Sequence, residues 1–187
     1  MLLNIIKRLI SFCGVFAMTL GLFGCSRFLI YDSQKDDDAM REEAKGVARD
    51  VLKTLENKDR KAFRALFHEQ ICVLSDYDEG EAYTFEVFSG TVASISQESF
   101  HTGGHIASKG ESYTTATSGY NVVTDDNEYL LCVEYYTKHD NDKYIGKIIK
   151  MKILNSKYAP ESGYFADMSL RYGIYYPGWL DHFQQND

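Results

Sequence analysis

The hydrophobic period of this chain changes once, at Gly90, and that change restricts the folds open to it. Before Gly90, apolar residues recur every three or four positions, as on one face of a helix. After it they alternate, as on one face of a strand. Met40, Ala44, Val47, Ala48, Val51, Leu52 and Leu55 predict a helix over residues 37–56, with Asp36, Asp37 and Asp38 at the end where negative charge suits the helix dipole. Asn57 to Asp59 breaks the pattern, and Asp59 reads as the N-cap of a second amphipathic helix carrying Phe63, Leu66, Phe67 and Ile71. The Asp-rich stretch Leu74 to Gly80 reads as a linker. Tyr83 to Phe88 then reads as a short third helix, with Phe85 and Phe88 inward and Gly90 ending it.

Beyond Gly90, Val92 to Phe100 reads as a strand and His101 to Gly110 as a glycine-containing connection. Tyr113 to Thr124 has strand composition, Asp125-Asp126-Asn127 is turn chemistry, and Tyr129, Leu131, Val133 and Tyr135 alternate with their neighbours. After a turn over His139 to Lys143, Ile145, Ile149, Met151 and Ile153 mark a last strand. Consecutive hairpins predict a four-stranded antiparallel meander. Helices followed by strands make the class α+β. The tail from Ser156 holds Tyr158, Tyr164, Phe165, Tyr172, Tyr175, Tyr176, Trp179 and Phe183. So many aromatics predict a segment that wraps back over the sheet or forms a contact surface.

The N-terminus reads as a signal segment. Lys7 and Arg8 precede an uncharged, mostly apolar run from Leu9 to Phe23, shorter than the ~20 residues a spanning helix needs. The run closes on Leu22-Phe23-Gly24-Cys25, which resembles the lipobox of bacterial lipoproteins. That resemblance implies recognition of Leu22 and Gly24 by a signal peptidase. It also implies diacylglyceryl modification of Cys25 as the new N-terminus, at the outer face of the cytoplasmic membrane, with two acyl chains sufficing for a stable anchor. The expected layout is a signal peptide over 1–24, a tether over 25–36, an α+β domain over 37–155 and an aromatic extension over 156–187.

Charge and motif content narrow the chemistry. Removing residues 1–24 takes away Lys7 and Arg8 and no acid, so the formal charge moves from −7 to about −9. An acidic domain is a poor nucleic-acid binder, because phosphate contacts need clustered Lys and Arg. The basic row Arg41, Lys45, Arg49 and Lys53 is read as a solvated helix face, with anionic headgroups near the anchor as the sharper alternative. Cys72 and Cys132 carry no ligand spacing; they read as small buried hydrophobes, with a disulfide left open. His101 and His105 lack the further ligands zinc needs, and Asp140-Asn141-Asp142 lacks the glycine and distant Glu of a calcium loop. No nucleophile elbow and no phosphate-cradling glycine loop is present, so no metal, cofactor or catalytic residue is assigned.

Helices followed by a long curved sheet resemble the nuclear-transport-factor-2-like, or cystatin-like, cone. More narrowly, the chain is similar to a family of Firmicutes lipoproteins, the domain of unknown function 5104. The residues that carry this are the first helix, Lys58-Asp59, Leu66-Phe67, Phe88-Ser89-Gly90, Val123-Thr124-Asp125, Tyr129 and Gly173-Ile174-Tyr175-Tyr176-Pro177. The resemblance implies a pocket between sheet and helices, nearest which His68, Tyr83, Tyr120 and Tyr135 would stand, each with the plain alternative of a core residue whose polar end is satisfied. Three functions stay open: a membrane-anchored module binding a protein or small molecule, a cone-fold enzyme of isomerase or hydrolase type, and an immunity or inhibitor-like interaction protein.

Overall fold

A computed structural model describes residues 37–106, 112–158 and 172–176. The signal segment 1–24, the tether 25–36 and with them Leu22, Gly24 and Cys25 lie outside those residues, as does most of the tail. The chain divides into two compact units, Met1–Glu42 and Glu43–Asp187. Of the first, only the helical residues 37–42 are described, and the fold below is that of the second.

Helix α1 covers residues 37–56. Its stripe Ala44, Ala48, Val51, Leu52 and Leu55 is buried, as the spacing predicts. The chain leaves α1 through Lys58, at a positive φ of 53°. Helix α2 (Arg60–Ala65) follows, capped by Asp59, whose carboxylate accepts from the Ala62 amide at 2.9 Å. The periodicity extends this helix to Ile71, and the structure corrects that. From Leu66 the backbone bonds to the sheet instead: His68 N donates to Ile148 O and Ile148 N donates to Leu66 O, each at 2.9 Å. Phe63, Phe67 and Ile71 are nevertheless all buried.

Helix α3 (Tyr77–Val87) begins inside the stretch expected to be a linker. Asp78 and Glu79 occupy its first turn, where carboxylates suit the dipole. Arg64 on α2 reaches Asp78 at 2.5 Å and the buried Glu81 at 2.7 Å, holding the two helices together. Gly80 is a packing requirement rather than a helix stop. A Cβ there would lie 2.7 Å from the Cβ of Ile174.

The sheet has five strands in chain order: β1 (Val92–Ile106), β2 (Ser112–Thr124), β3 (Glu128–His139), β4 (Ile148–Asn155) and β5 (Gly173–Tyr175). The first four form the expected antiparallel meander. The fifth runs parallel to β4, so the sheet is mixed and five-stranded, not four-stranded and antiparallel. Three residues are too few to show a period. What brings them in is Ile174, opposite Met151 and buried against Gly80. Two boundaries also move. β1 continues to Ile106 through the stretch expected to be a connection, pairing with Ser112–Thr117. β4 starts only at Ile148, because Asp142–Tyr144 make a 3-10 turn and Gly146 takes a φ of 78°.

One face of the sheet packs on the helices. Tyr120 and Val122 of β2, Tyr129, Leu131, Val133 and Tyr135 of β3, Met151 and Ile153 of β4 and Ile174 of β5 meet α1, Phe63, Phe85 and Phe88 in a single core. The opposite face carries the ion pair Glu134–Lys150 at 2.9 Å, the fully buried Cys132 and the Tyr136 ring. Cys72 and Cys132 are free thiols.

Candidate functional site

The four residues expected near a pocket go to three places. Tyr120 and Tyr135 are fully buried on the helix-facing side of the sheet. The Tyr120 hydroxyl accepts from Gln97 Nε2 at 3.3 Å, and the same amide donates to Ser118 Oγ at 2.7 Å. The Tyr135 hydroxyl has no hydrogen-bond partner among the described residues. Burial raises its pKa above the ordinary phenol value, and the negative charge of Glu43 on α1 and the neighbouring Tyr120 raise it further. Tyr83 sits on α3 with its ring 6.2 Å from that of Tyr176, whose hydroxyl donates to Glu79 at 2.7 Å. His68 stands with neither group.

The surroundings of His68 form the densest polar aromatic cluster among the described residues. His68 follows α2 on the segment that bonds to β4, so alternation sends Phe67 into the core and His68 to the other side. Its ring centroid is 4.1 Å from that of Tyr144 in the 3-10 turn and 5.8 Å from that of Tyr136 on β3. His139, at the end of β3, lies 5.0 Å from the same Tyr144 ring and 4.9 Å from Tyr136. Tyr113, at the start of β2, is stacked on His139 at 6.0 Å and shares a 3.2 Å hydroxyl contact with Tyr172. The sequence hides this grouping, because its members lie on separate segments. Reading along the chain singles out His68 but none of its partners.

Both imidazoles are held by the same local clasp. Gln70 N donates to His68 Nδ1 at 3.1 Å, and Asn141 N donates to His139 Nδ1 at 3.0 Å. With Nδ1 accepting, the neutral ring carries its proton on Nε2. Burial, first, pushes the His68 imidazole below its ordinary value; Glu69 opposes this, and His139, Lys143 and Lys147 add to it. The Glu69 carboxylate accepts from the Tyr144 hydroxyl at 2.9 Å and pairs with Lys143 at 3.4 Å, which holds it below the usual carboxylate range. Lys147 donates to Ala65 O at 2.6 Å, at the end of α2. The locus thus sets two imidazoles and the side chains of Lys143 and Lys147 beside the carboxylates of Glu69, Asp140 and Asp142.

Residues on which the family resemblance rests assemble elsewhere, at the junction of α3 with the β2–β3 turn. Lys58 Nζ donates to Phe88 O at 2.8 Å. Ser89 N donates to the Tyr129 hydroxyl at 2.9 Å, and that hydroxyl donates to Val87 O at 3.1 Å. Gly90, at φ 85°, leaves room that a Cβ would take from Asp125 and Thr124. The Asp125 carboxylate accepts from Thr91 N at 2.6 Å. This network fastens the fold.

What the fold and these sites define is an α+β domain with a filled core and a polar aromatic cluster at one end of its sheet. A family model described as a domain of unknown function (DUF5104) matches residues 50–156, more than half of the chain, and the chain belongs to that family. No curated protein and no solved structure matches it.

Proposed function

We propose that this protein is an extracytoplasmic lipoprotein, anchored through Cys25, whose nuclear-transport-factor-2-like domain binds a ligand at the cluster of His68, Tyr113, Tyr136, His139, Tyr144 and Tyr172. The observation that carries the reading is this cluster. Separate segments bring two imidazoles and four phenols together outside the core, where aromatic faces and polar edges serve recognition. Filling of the cone interior supports binding over an enzyme in the cone: Phe63, Phe88, Tyr120, Tyr129 and Tyr135 are fully buried there. No helix among the described residues is long and apolar enough to cross a membrane. In this reading the anchor is the lipid on Cys25, where two acyl chains suffice for stable attachment.

Two measurements test it. Cys25→Ala abolishes fatty-acid labelling and releases the chain from the membrane fraction; unchanged labelling overturns the anchor. A ligand found by thermal-shift screening raises the melting temperature of the native chain, and Tyr144→Ala removes that rise. A ligand whose effect survives Tyr144→Ala places the site elsewhere.

A further inference from the structure

Strand β1 forms one margin of the sheet. It runs 15 residues, Val92–Ile106, and stands first in the strand order, with only β2 beside it among the described residues. None of residues 92–103 is buried. Its register with β2 shifts between Val92 and Ser94 and between Gln97 and Ser99, then runs unbroken over Ser99–Ile106.

The backbone of that unbroken stretch has a defined outer side. Asp140 N donates to Ser112 O at 3.1 Å, and Ser112 N to the Asp140 carboxylate at 2.6 Å, so Ser112 faces β3 and Tyr113 faces β1. His105, opposite Tyr113, therefore faces β2. Alternation turns the N–H and C=O of Thr102, Gly104 and Ile106 outward, where no described strand receives them. Ser99 falls on the inward set, and its carbonyl accepts from Ser118 Oγ of β2 at 3.2 Å.

Proteins blunt such an edge with Lys, Pro, bulges or a covering segment. Both register shifts of β1 lie before Ser99. From Ser99 to Ile106 there is no Pro, Lys, Arg, Asp or Glu. Gly103 and Gly104 stand in the middle of the stretch, and glycine within a strand lets another backbone approach closely.

The occupant that fits this edge is a second copy of the chain. A formal charge of −7 opposes the approach of two copies, and an edge without Lys, Arg, Asp or Glu is where that repulsion is least. Antiparallel pairing of a strand with itself is two-fold symmetric, so every contact is made twice. The sheet's other margin, β5, has three residues, too short to carry the sheet further, so assembly stops at two copies. We propose that Ser99–Ile106 is a homodimerisation edge. Two copies pair β1 antiparallel, with Thr102 of each opposite Gly104 of the other, and the sheet continues across the two-fold axis.

Sedimentation equilibrium of the full chain in density-matched detergent tests this. The native chain shows a reversible monomer–dimer equilibrium that saturates at two copies. Thr102→Pro removes an outward N–H and keeps the bonds to β2, since Pro is tolerated on the solvent side of an edge strand. It weakens the dimer at least roughly tenfold, with an unchanged circular dichroism spectrum. Thr102→Lys and Thr102→Glu each weaken it too, by like charge across the axis, and an equimolar mixture of the two restores it. That rescue holds whether or not the proline variant folds. A native chain that stays monomeric up to roughly 0.5 mM overturns the proposal and leaves the edge to another extended segment. A dimer that folded Thr102→Pro does not weaken, a Lys–Glu mixture that stays monomeric, and association beyond two copies each overturn it as well.

Discussion

Two tyrosines of β3 show how one hydroxyl can be indispensable and another idle. Tyr129 and Tyr135 are both fully buried on the same face of the sheet. The Tyr129 hydroxyl accepts from Ser89 N and donates to Val87 O, so Tyr129→Phe strands a backbone donor and an acceptor and costs about 1–3 kcal/mol. The Tyr135 hydroxyl has no partner, so Tyr135→Phe removes a desolvated polar atom and is neutral or stabilising by up to ~1 kcal/mol. Urea unfolding of both variants checks the contrast, and equal losses would refute it. Two helical glycines make a second contrast. A Cβ added to Gly46 on α1 would meet nothing within 4 Å, so Gly46→Ala gains up to ~1 kcal/mol from helix propensity. Gly80→Ala drives a methyl against Ile174 at 2.7 Å, and the clash outweighs that gain by about 1–2 kcal/mol. The midpoints of the two variants therefore move in opposite directions.

At the scale of elements, the 3-10 turn and the segment after α2 meet around His68, and their docking depends on pH. The depressed pKa of His68 means that the unfolded chain binds a proton more readily than the folded one. Stability contributed by the neutral ring is complete above the unfolded histidine value near ~6.5 and is lost as pH falls from there through the lower folded value. The urea midpoint accordingly drops between about pH 7.5 and about pH 5.5, and His68→Gln flattens that dependence. An equal slope in the variant would remove His68 as its source. The same junction explains where local pattern misleads about elements. Leu66 to His68 continues a helical apolar spacing, but its backbone groups find partners on Ile148 rather than in another helical turn. Tyr77 to Gly80 has the composition of a linker because Asp and Gly mark turns, and only the carboxylate contacts to Arg64 and the approach of Ile174 make that composition helical.

For the whole molecule, burial separates the two thiols of the folded body. Cys132 is fully buried and desolvation pushes its thiol up to about 12, so it resists thiol reagents until the chain unfolds. Half-buried Cys72 reacts first, and counting labelled thiols against urea concentration checks the order. Cys132 labelling in the native state would show that its face of the sheet opens. The candidate cluster is legible only through His68: Tyr113, Tyr136, His139, Tyr144 and Tyr172 are scattered along the second half of the chain, and nothing local marks them as neighbours. By itself the sequence determined what short-range periodicity encodes. It set the α+β order, the N-cap at Asp59, the four-strand meander and the buried stripe of α1, because helix and strand repeats are written every few residues. The tertiary structure alone decided the parallel fifth strand, the helical use of Gly80 and the convergence on Tyr144. Each depends on a contact between residues far apart in the chain, where packing and hydrogen-bond satisfaction override local preference.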